Sequence, residues 1–240
     1  MKNSERFLFA FNSIEIALKE FNKTDEYIPF SRLIQIAKKS DAVIRKYYDD
    51  LKEYSELRNA IVHNAIDINY AIAEPHDQVV EKIEFIVKAF KQPKRVIPMY
   101  QKEVIVFQAS DTLKELLNII NRYAYSKFPI YNGNQFIGLL TKKGIVNWLA
   151  RNIGRLNCAN IPDTLNISNT LLMDIFRFES KNKNYIFIDK DKTIYEVKEL
   201  FRNFGTDLPR IDALLITEHG TEHEELLGII TPYDIVNHVD

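Results

Sequence analysis

The sequence predicts an α+β protein, an N-terminal all-α helical bundle followed by two tandem copies of a β-α-β-β-α unit. Three observations lead there. Residues 1–92 keep helical spacing of apolar positions and hold no glycine, the first being Gly133. Residues 138–146, Gly-Leu-Leu-Thr-Lys-Lys-Gly-Ile-Val, recur at 228–236 as Gly-Ile-Ile-Thr-Pro-Tyr-Asp-Ile-Val. Beyond Leu/Ile exchange, these differ only at Lys142/Pro232, Lys143/Tyr233 and Gly144/Asp234. The repeat also extends upstream. Asp111-Thr112-Leu113-Lys114-Glu115 aligns with Lys192-Thr193-Ile194-Tyr195-Glu196, and Phe128-Pro129 with Leu208-Pro209. The offsets are 81, 80 and finally 90 residues, which places a ten-residue gain in a loop over Ala213–Glu225.

The elements follow in order. Phe7, Phe11, Ile14 and Leu18 form one face of a first helix, and Ser31–Lys39 is short and amphipathic. From Asp41 to about Asn64, Tyr47, Leu51, Tyr54, Ile61 and Ala65 make one stripe. A helix with Val79, Ile83, Ile86, Val87 and Phe90 on its apolar face follows Pro75, a residue well tolerated in a first helical turn. Gln92–Glu103, with Pro93 and Pro98, reads as the boundary. In the first copy, Val104–Phe107 is strand-like and Ser110 caps a helix through Asn121. Asn132-Gly133 is a hairpin signal, and Gln135–Leu140 leads into Thr141 and a helix to about Arg151 that Trp148 packs. Asn157–Asn169 is polar and reads as a linker, and Ser168–Phe176 as a helix entering the second copy. There Tyr185–Ile188, Thr193–Asn203, Ala213–Thr217, Leu226–Ile230 and Ile235–Val239 repeat the series. The domains are thus 1–92, 93–156 and 157–240.

Composition narrows the function classes. Before and after Gln92 the chain has 14 basic against 15 acidic residues and 18 against 18, so neither half has a basic field for non-specific nucleic-acid binding. The lone Cys158 forms no internal disulfide and fits a reducing compartment. No stretch approaches a membrane span, so the expectation is a cytoplasmic protein with no membrane partner. His219-Gly-Thr-Glu222-His223 matches a zinc-protease pattern, but Gly220 and Thr221 and its place between two strands read as a polar loop, and no metal is expected.

The repeat carries ligand chemistry. Thr231 and Asp234 stand three apart where a strand enters a helix. A carboxylate accepts from adjacent hydroxyls, while free N–H groups at such a turn suit phosphate. The same spacing is also an ordinary helix cap. Arg210, beside Pro209, is placed to reach a phosphate. The first copy keeps Thr141 but has Gly144 where the carboxylate belongs, with Lys142 and Lys143 alongside to attract phosphate. Over about residues 94–239, Asp111-Thr112-Leu113, Phe128-Pro129-Ile130, Gly138-x-x-Thr141, Thr193-Ile194, Leu208-Pro209 and Gly228-x-x-Thr231-x-x-Asp234 resemble a tandem CBS-domain pair, a Bateman module. The resemblance implies a sensor of adenosine-containing ligands such as AMP or ATP. Thr231 and Thr141 would face phosphate or ribose, and Asp234 the ribose hydroxyls.

Residues 58–63 read Arg-Asn-Ala-Ile-Val-His. On a straight helix Arg58 lies roughly 20° from the centre of the apolar stripe, and His63 roughly 140° further round. Arg58 and His63 therefore converge only through a helix break or a second subunit. Leu57-Arg58-Asn59-Ala60-Ile61-Val62-His63 in a small helical domain resembles the HEPN family. This implies a metal-independent ribonuclease site completed in a homodimer, with His63 as general acid/base, Arg58 stabilising phosphate charge and Asn59 orienting the pair. The expectation is a cytoplasmic homodimer whose adenine-nucleotide sensor controls RNA cleavage and needs no cofactor. The alternatives keep the sensor beside a non-catalytic dimerisation or docking domain, or make the whole chain structural.

Overall fold

The computed structural model describes residues 1–24, 26–63, 73–153, 168–179, 183–203 and 210–237. It divides into two compact units, Met1–Lys94 with Thr193–Glu199, and Arg95–Lys192 with Leu200–Asp240.

The first unit is helical: α1 (Asn3–Phe21), α2 (Phe30–Ala37), α3 (Ala42–Lys46), α4 (Tyr48–His63) and α5 (Asp77–Lys91). Its core takes Phe7, Phe11, Ile14 and Leu18 from α1, Leu33 and Ile34 from α2, Leu51, Tyr54 and Ile61 from α4, and Val80, Ile83 and Ile86 from α5. Arg6 donates from Nε and Nη2 to the two Glu84 oxygens (3.1 and 2.8 Å), pinning α1 to α5. The helix expected from Asp41 to Asn64 is two helices. Asp41 caps α3, accepting from the Ile44 amide at 2.8 Å, and Tyr47 at φ −103°, ψ 19° ends it. Ala65, the last stripe residue, lies outside the described residues. Pro75 precedes α5 rather than opening it, with His76 at the N-cap.

Tyr195 also belongs to this core, 8% exposed and edge-on to Tyr47 at 6.3 Å. The Ile194 amide donates to the Lys94 carbonyl (2.9 Å), and Arg45 pairs with Glu199. A boundary drawn at residue 92 leaves this segment out, because sequence separation hides a contact made a hundred residues later.

The second unit holds α6 (Val96–Met99), β1 (Phe107–Gln108), α7 (Leu113–Tyr123), β2 (Lys127–Asn132), β3 (Gln135–Thr141) and α8 (Lys142–Ile153). It continues with α9 (Leu172–Phe176), β4 (Tyr185–Asp189), the end of α10 (Ile194–Asn203), β5 (Ala213–Thr217), β6 (Gly228–Ile230) and α11 (Pro232–Asn237). Two three-stranded sheets, β1-β2-β3 and β4-β5-β6, each combine a parallel and then an antiparallel pairing. Phe136 and Leu139 of β3 meet Ala213 and Leu215 of β5, and Phe136 lies edge-on to Tyr185 and Phe187, both at 5.1 Å.

Several elements are shorter than expected. β1 covers only Phe107–Gln108, and α9 only Leu172–Phe176. Thr112, not Ser110, caps α7, because Thr112 and Glu115 close a reciprocal capping box that Ser110 cannot make. Most of the expected linker, with Cys158, lies outside the described residues, as do Leu208-Pro209 and Val239.

Strand register relocates the ten-residue gain. Phe107 pairs with Ile130, and its counterpart Ile188 pairs with Ile216, an offset of 86. Ile130 then pairs with Gly138 and Ile216 with Gly228, an offset of 90. About half the gain therefore falls before β5 and the rest after it. Leu214, rather than Leu208, is the counterpart of Phe128. In the loop after β5, Glu224 accepts from the His219 amide (2.8 Å) and meets His219 Nδ1 at 2.6 Å. The His219 amide, with that side chain and Thr217 and Thr221, holds the Glu224 carboxyl down to about 2 against the opposing effect of desolvation.

Each repeat is entered through the other. The Val96 amide donates to the Lys192 carbonyl (2.8 Å) and the Lys102 amide to the Leu227 carbonyl (3.2 Å). Reciprocally, the Leu172 and Met173 amides donate to the carbonyls of Asp111 (2.8 Å) and Ala109 (3.0 Å). The two motif glycines make room for these lead-ins. A Cβ on Gly228 would stand 2.3 Å from the Tyr100 carbonyl oxygen, and one on Gly138 would stand 2.3 Å from Cζ of Phe176.

Candidate ligand site in the paired threonine turns

Among the described residues, four threonine turns share one arrangement, in which the amide and hydroxyl of Thr both donate to one carboxylate oxygen. Thr112 does so to Glu115 (2.7 and 2.8 Å) and Thr193 to Glu196 (2.8 and 2.9 Å). Thr231 does so to Asp234 Oδ2, both at 2.7 Å. The arrangement is first of all helix-capping chemistry. Thr231–Asp234 stands at the end of β6, as Thr141 stands at the end of β3, and Asp234 is half-buried. Its Oδ1 accepts no hydrogen bond among the described residues, so one oxygen holds the turn while the other can accept from a hydroxyl.

The fourth turn departs from the sequence reading. Gly144 supplies no carboxylate, yet the Thr141 amide and hydroxyl donate to Glu179 Oε2 at 2.7 and 2.9 Å. Thr141 is 1% exposed, and its hydroxyl also accepts from the Gly144 amide at 3.1 Å. A Cβ on Gly144 would lie 2.3 Å from that same Glu179 oxygen. The missing side chain at 144 is thus the space into which Glu179 reaches. Its only sequence signal was the spacing of Glu179 three residues after Phe176, which matches that of Glu103 after Tyr100.

Arg210 does not join Thr231 and Asp234. Its side chain is 86% exposed and lies 4.0 Å from Asp212, which also pairs with Lys127 at 3.2 Å. Residue 210 precedes β5, outside the strand that pairs with β6. Lys142 is turned to the Ala124 carbonyl, donating at 3.3 Å.

In the helical unit, Arg58 is half-buried and donates from Nη1 to Asn59 Oδ1 at 3.2 Å. α4 runs without interruption through Arg58 to its last residue, His63, whose side chain lies outside the described residues. The helix break that would bring Arg58 and His63 together within one chain does not occur.

Residues 96–151 and 178–240 match the family model of the CBS domain, so this part of the chain is a tandem CBS pair. Among solved structures, the CBS domain pair of protein MJ0100, in complex with 5-methylthioadenosine and S-adenosyl-L-methionine, is similar at 17% identity and TM-score 0.42 over 60% of this chain and 94% of that one. A CBS-domain protein of Thermoplasma acidophilum, TA0289, aligns at 14% identity and TM-score 0.42 over 62% and 71% of the two chains. CBSX2 in complex with AMP aligns at 11% identity and TM-score 0.40 over 60% and 94%. No curated protein matches the chain. Among the described residues, no helix is long and apolar enough to cross a membrane.

Proposed function

We propose that the tandem CBS pair is a sensor of an adenosine-containing ligand, read by Thr231 and Asp234, and that its occupancy regulates the helical domain. The observation that carries this reading is the divided use of the Asp234 carboxylate, with Oδ2 held by Thr231 and Oδ1 accepting no bond among the described residues, so that it can accept from a ribose hydroxyl. AMP and S-adenosyl-L-methionine are the probes of choice. Calorimetric titration of the full chain is expected to show binding, and Asp234→Ala to weaken the site at the Thr231 turn at least about tenfold through loss of a charge-assisted hydrogen bond. Equal affinity in both proteins removes Asp234 from the site.

For the helical domain, the Arg58–Asn59 hydrogen bond supports a metal-independent ribonuclease in which His63 is general acid/base. Because α4 is unbroken, the reading requires a homodimer, with His63 of one subunit meeting Arg58 of another. Cleavage of RNA in EDTA, with and without AMP, should fall by about a hundredfold or more in His63→Ala. Undiminished cleavage by that variant removes His63 from the reaction, and no cleavage by the wild type leaves a non-catalytic dimerisation or docking domain.

A further inference from the structure

We infer that Glu179 is the missing carboxylate of the first CBS repeat, supplied from the lead-in of the second, so that the chain holds two ribose-reading turns instead of one. The inference rests on the adenosyl-sensor reading and extends it to a residue no repeat motif contains. Two observations converge on it. Glu179 takes the amide and hydroxyl of Thr141 with one oxygen, as Asp234 takes those of Thr231, and the distances agree within 0.2 Å (2.7 and 2.9 against 2.7 and 2.7 Å). The carboxylate also occupies the space that a side chain at position 144 would fill, with Glu179 Cδ 3.0 Å and Oε2 2.3 Å from a Cβ built there. An aspartate at 144 and a glutamate at 179 are therefore alternatives, and this chain uses the second.

The two lead-ins provide an internal control. Glu103 follows Tyr100 by three residues, as Glu179 follows Phe176, and Tyr100 and Phe176 cover the equivalent glycines Gly228 and Gly138. Glu103 makes no hydrogen bond or ion pair among the described residues, and the turn it could serve already has Asp234. The lead-in acid is engaged only where the repeat lacks its own. A consequence is that the first site is built from two separated segments, β3–α8 and the stretch after α9. A diol bound there ties the entry of the second repeat to the first.

Calorimetry with AMP on the full-length chain tests this, with thermal melting alongside. The wild type is expected to bind two AMP per chain, Glu179→Ala one, and Gly144→Asp/Glu179→Ala two again. Asp234→Ala should keep a site that a further Glu179→Ala removes. A merely structural role for Glu179 would lower the melting temperature and leave the stoichiometry unchanged, which overturns the inference. A single wild-type site, lost in Asp234→Ala and untouched in Glu179→Ala, overturns it while leaving the sensor reading intact. No AMP or S-adenosyl-L-methionine binding by any of these proteins overturns both.

Discussion

Gly228→Ala is expected to destabilise the tandem-repeat unit by about 3 kcal/mol, the cost of forcing extra volume against a backbone that is itself held in place. The added Cβ would stand 2.3 Å from the Tyr100 carbonyl oxygen, 3.3 Å from its carbon and 3.1 Å from Cδ1 of Ile216. Ile216 can rotate, but the Tyr100 carbonyl is backbone. It is fixed upstream by the bond from the Val96 amide to Lys192 and downstream by that from the Lys102 amide to Leu227. Moving it strains both. Gly133→Ala is the comparison: at φ +61° it carries the left-handed backbone penalty of about 1 kcal/mol, with nothing within 4 Å of the new methyl. Urea unfolding followed by the fluorescence of Trp148, the only tryptophan and 6% exposed in the first-repeat core, separates the two. A midpoint shift no larger than that of Gly133→Ala would mean that the lead-in yields freely.

Tyr195→Ala should cost the helical unit about 3 kcal/mol, as a buried aromatic deleted from a core leaves both lost contact and a cavity. The ring is 8% exposed, packs edge-on to Tyr47 at 6.3 Å and lies under the Lys46 ammonium at 5.1 Å from its centroid. The Arg45–Glu199 pair one turn on is partly exposed and adds less. Hydrogen exchange at the amides of α1 and α5 is the readout, because these helices carry fully buried residues of that core, Phe7, Ile14, Ile83 and Ile86, all at 0% exposure. Protection unchanged from wild type would show that α10 merely rests on the helical unit. The residue lies within the second CBS match, yet its destabilising effect is expected in residues 1–94.

The elements legible from sequence are those whose cause is local. The 3.6-residue spacing of Phe7, Phe11, Ile14 and Leu18 marks a buried helix face without reference to anything distant, and all four are buried. Asn132-Gly133 announces a hairpin because few residues reach φ +61° cheaply, and β2 and β3 flank it. Thr231 and Asp234 are three apart on one turn, so their contact follows from helix geometry alone. Boundaries were less legible where two local signals competed, as at Asp41 and Tyr47, where a good cap and an aromatic anchor divided one amphipathic stripe.

Matching of residues far apart required the fold. Leu208-Pro209 resembles Phe128-Pro129 in letters, but ladder hydrogen bonds choose the partner strand, and they choose Leu214 as the equivalent of Phe128. That choice places Arg210 ahead of β5, with its exposed side chain 4.0 Å from Asp212. By itself, the sequence determined the duplicated Thr turn, the CBS character of the second part and the helical character of the first, because each is a repeating or short-range pattern. Only tertiary structure decided that Tyr195 belongs to the helical core and that the Thr141 turn has a carboxylate. Glu179 stands 38 residues from Thr141, and it reaches the turn because crossed lead-ins bring it to the space that Gly144 leaves open.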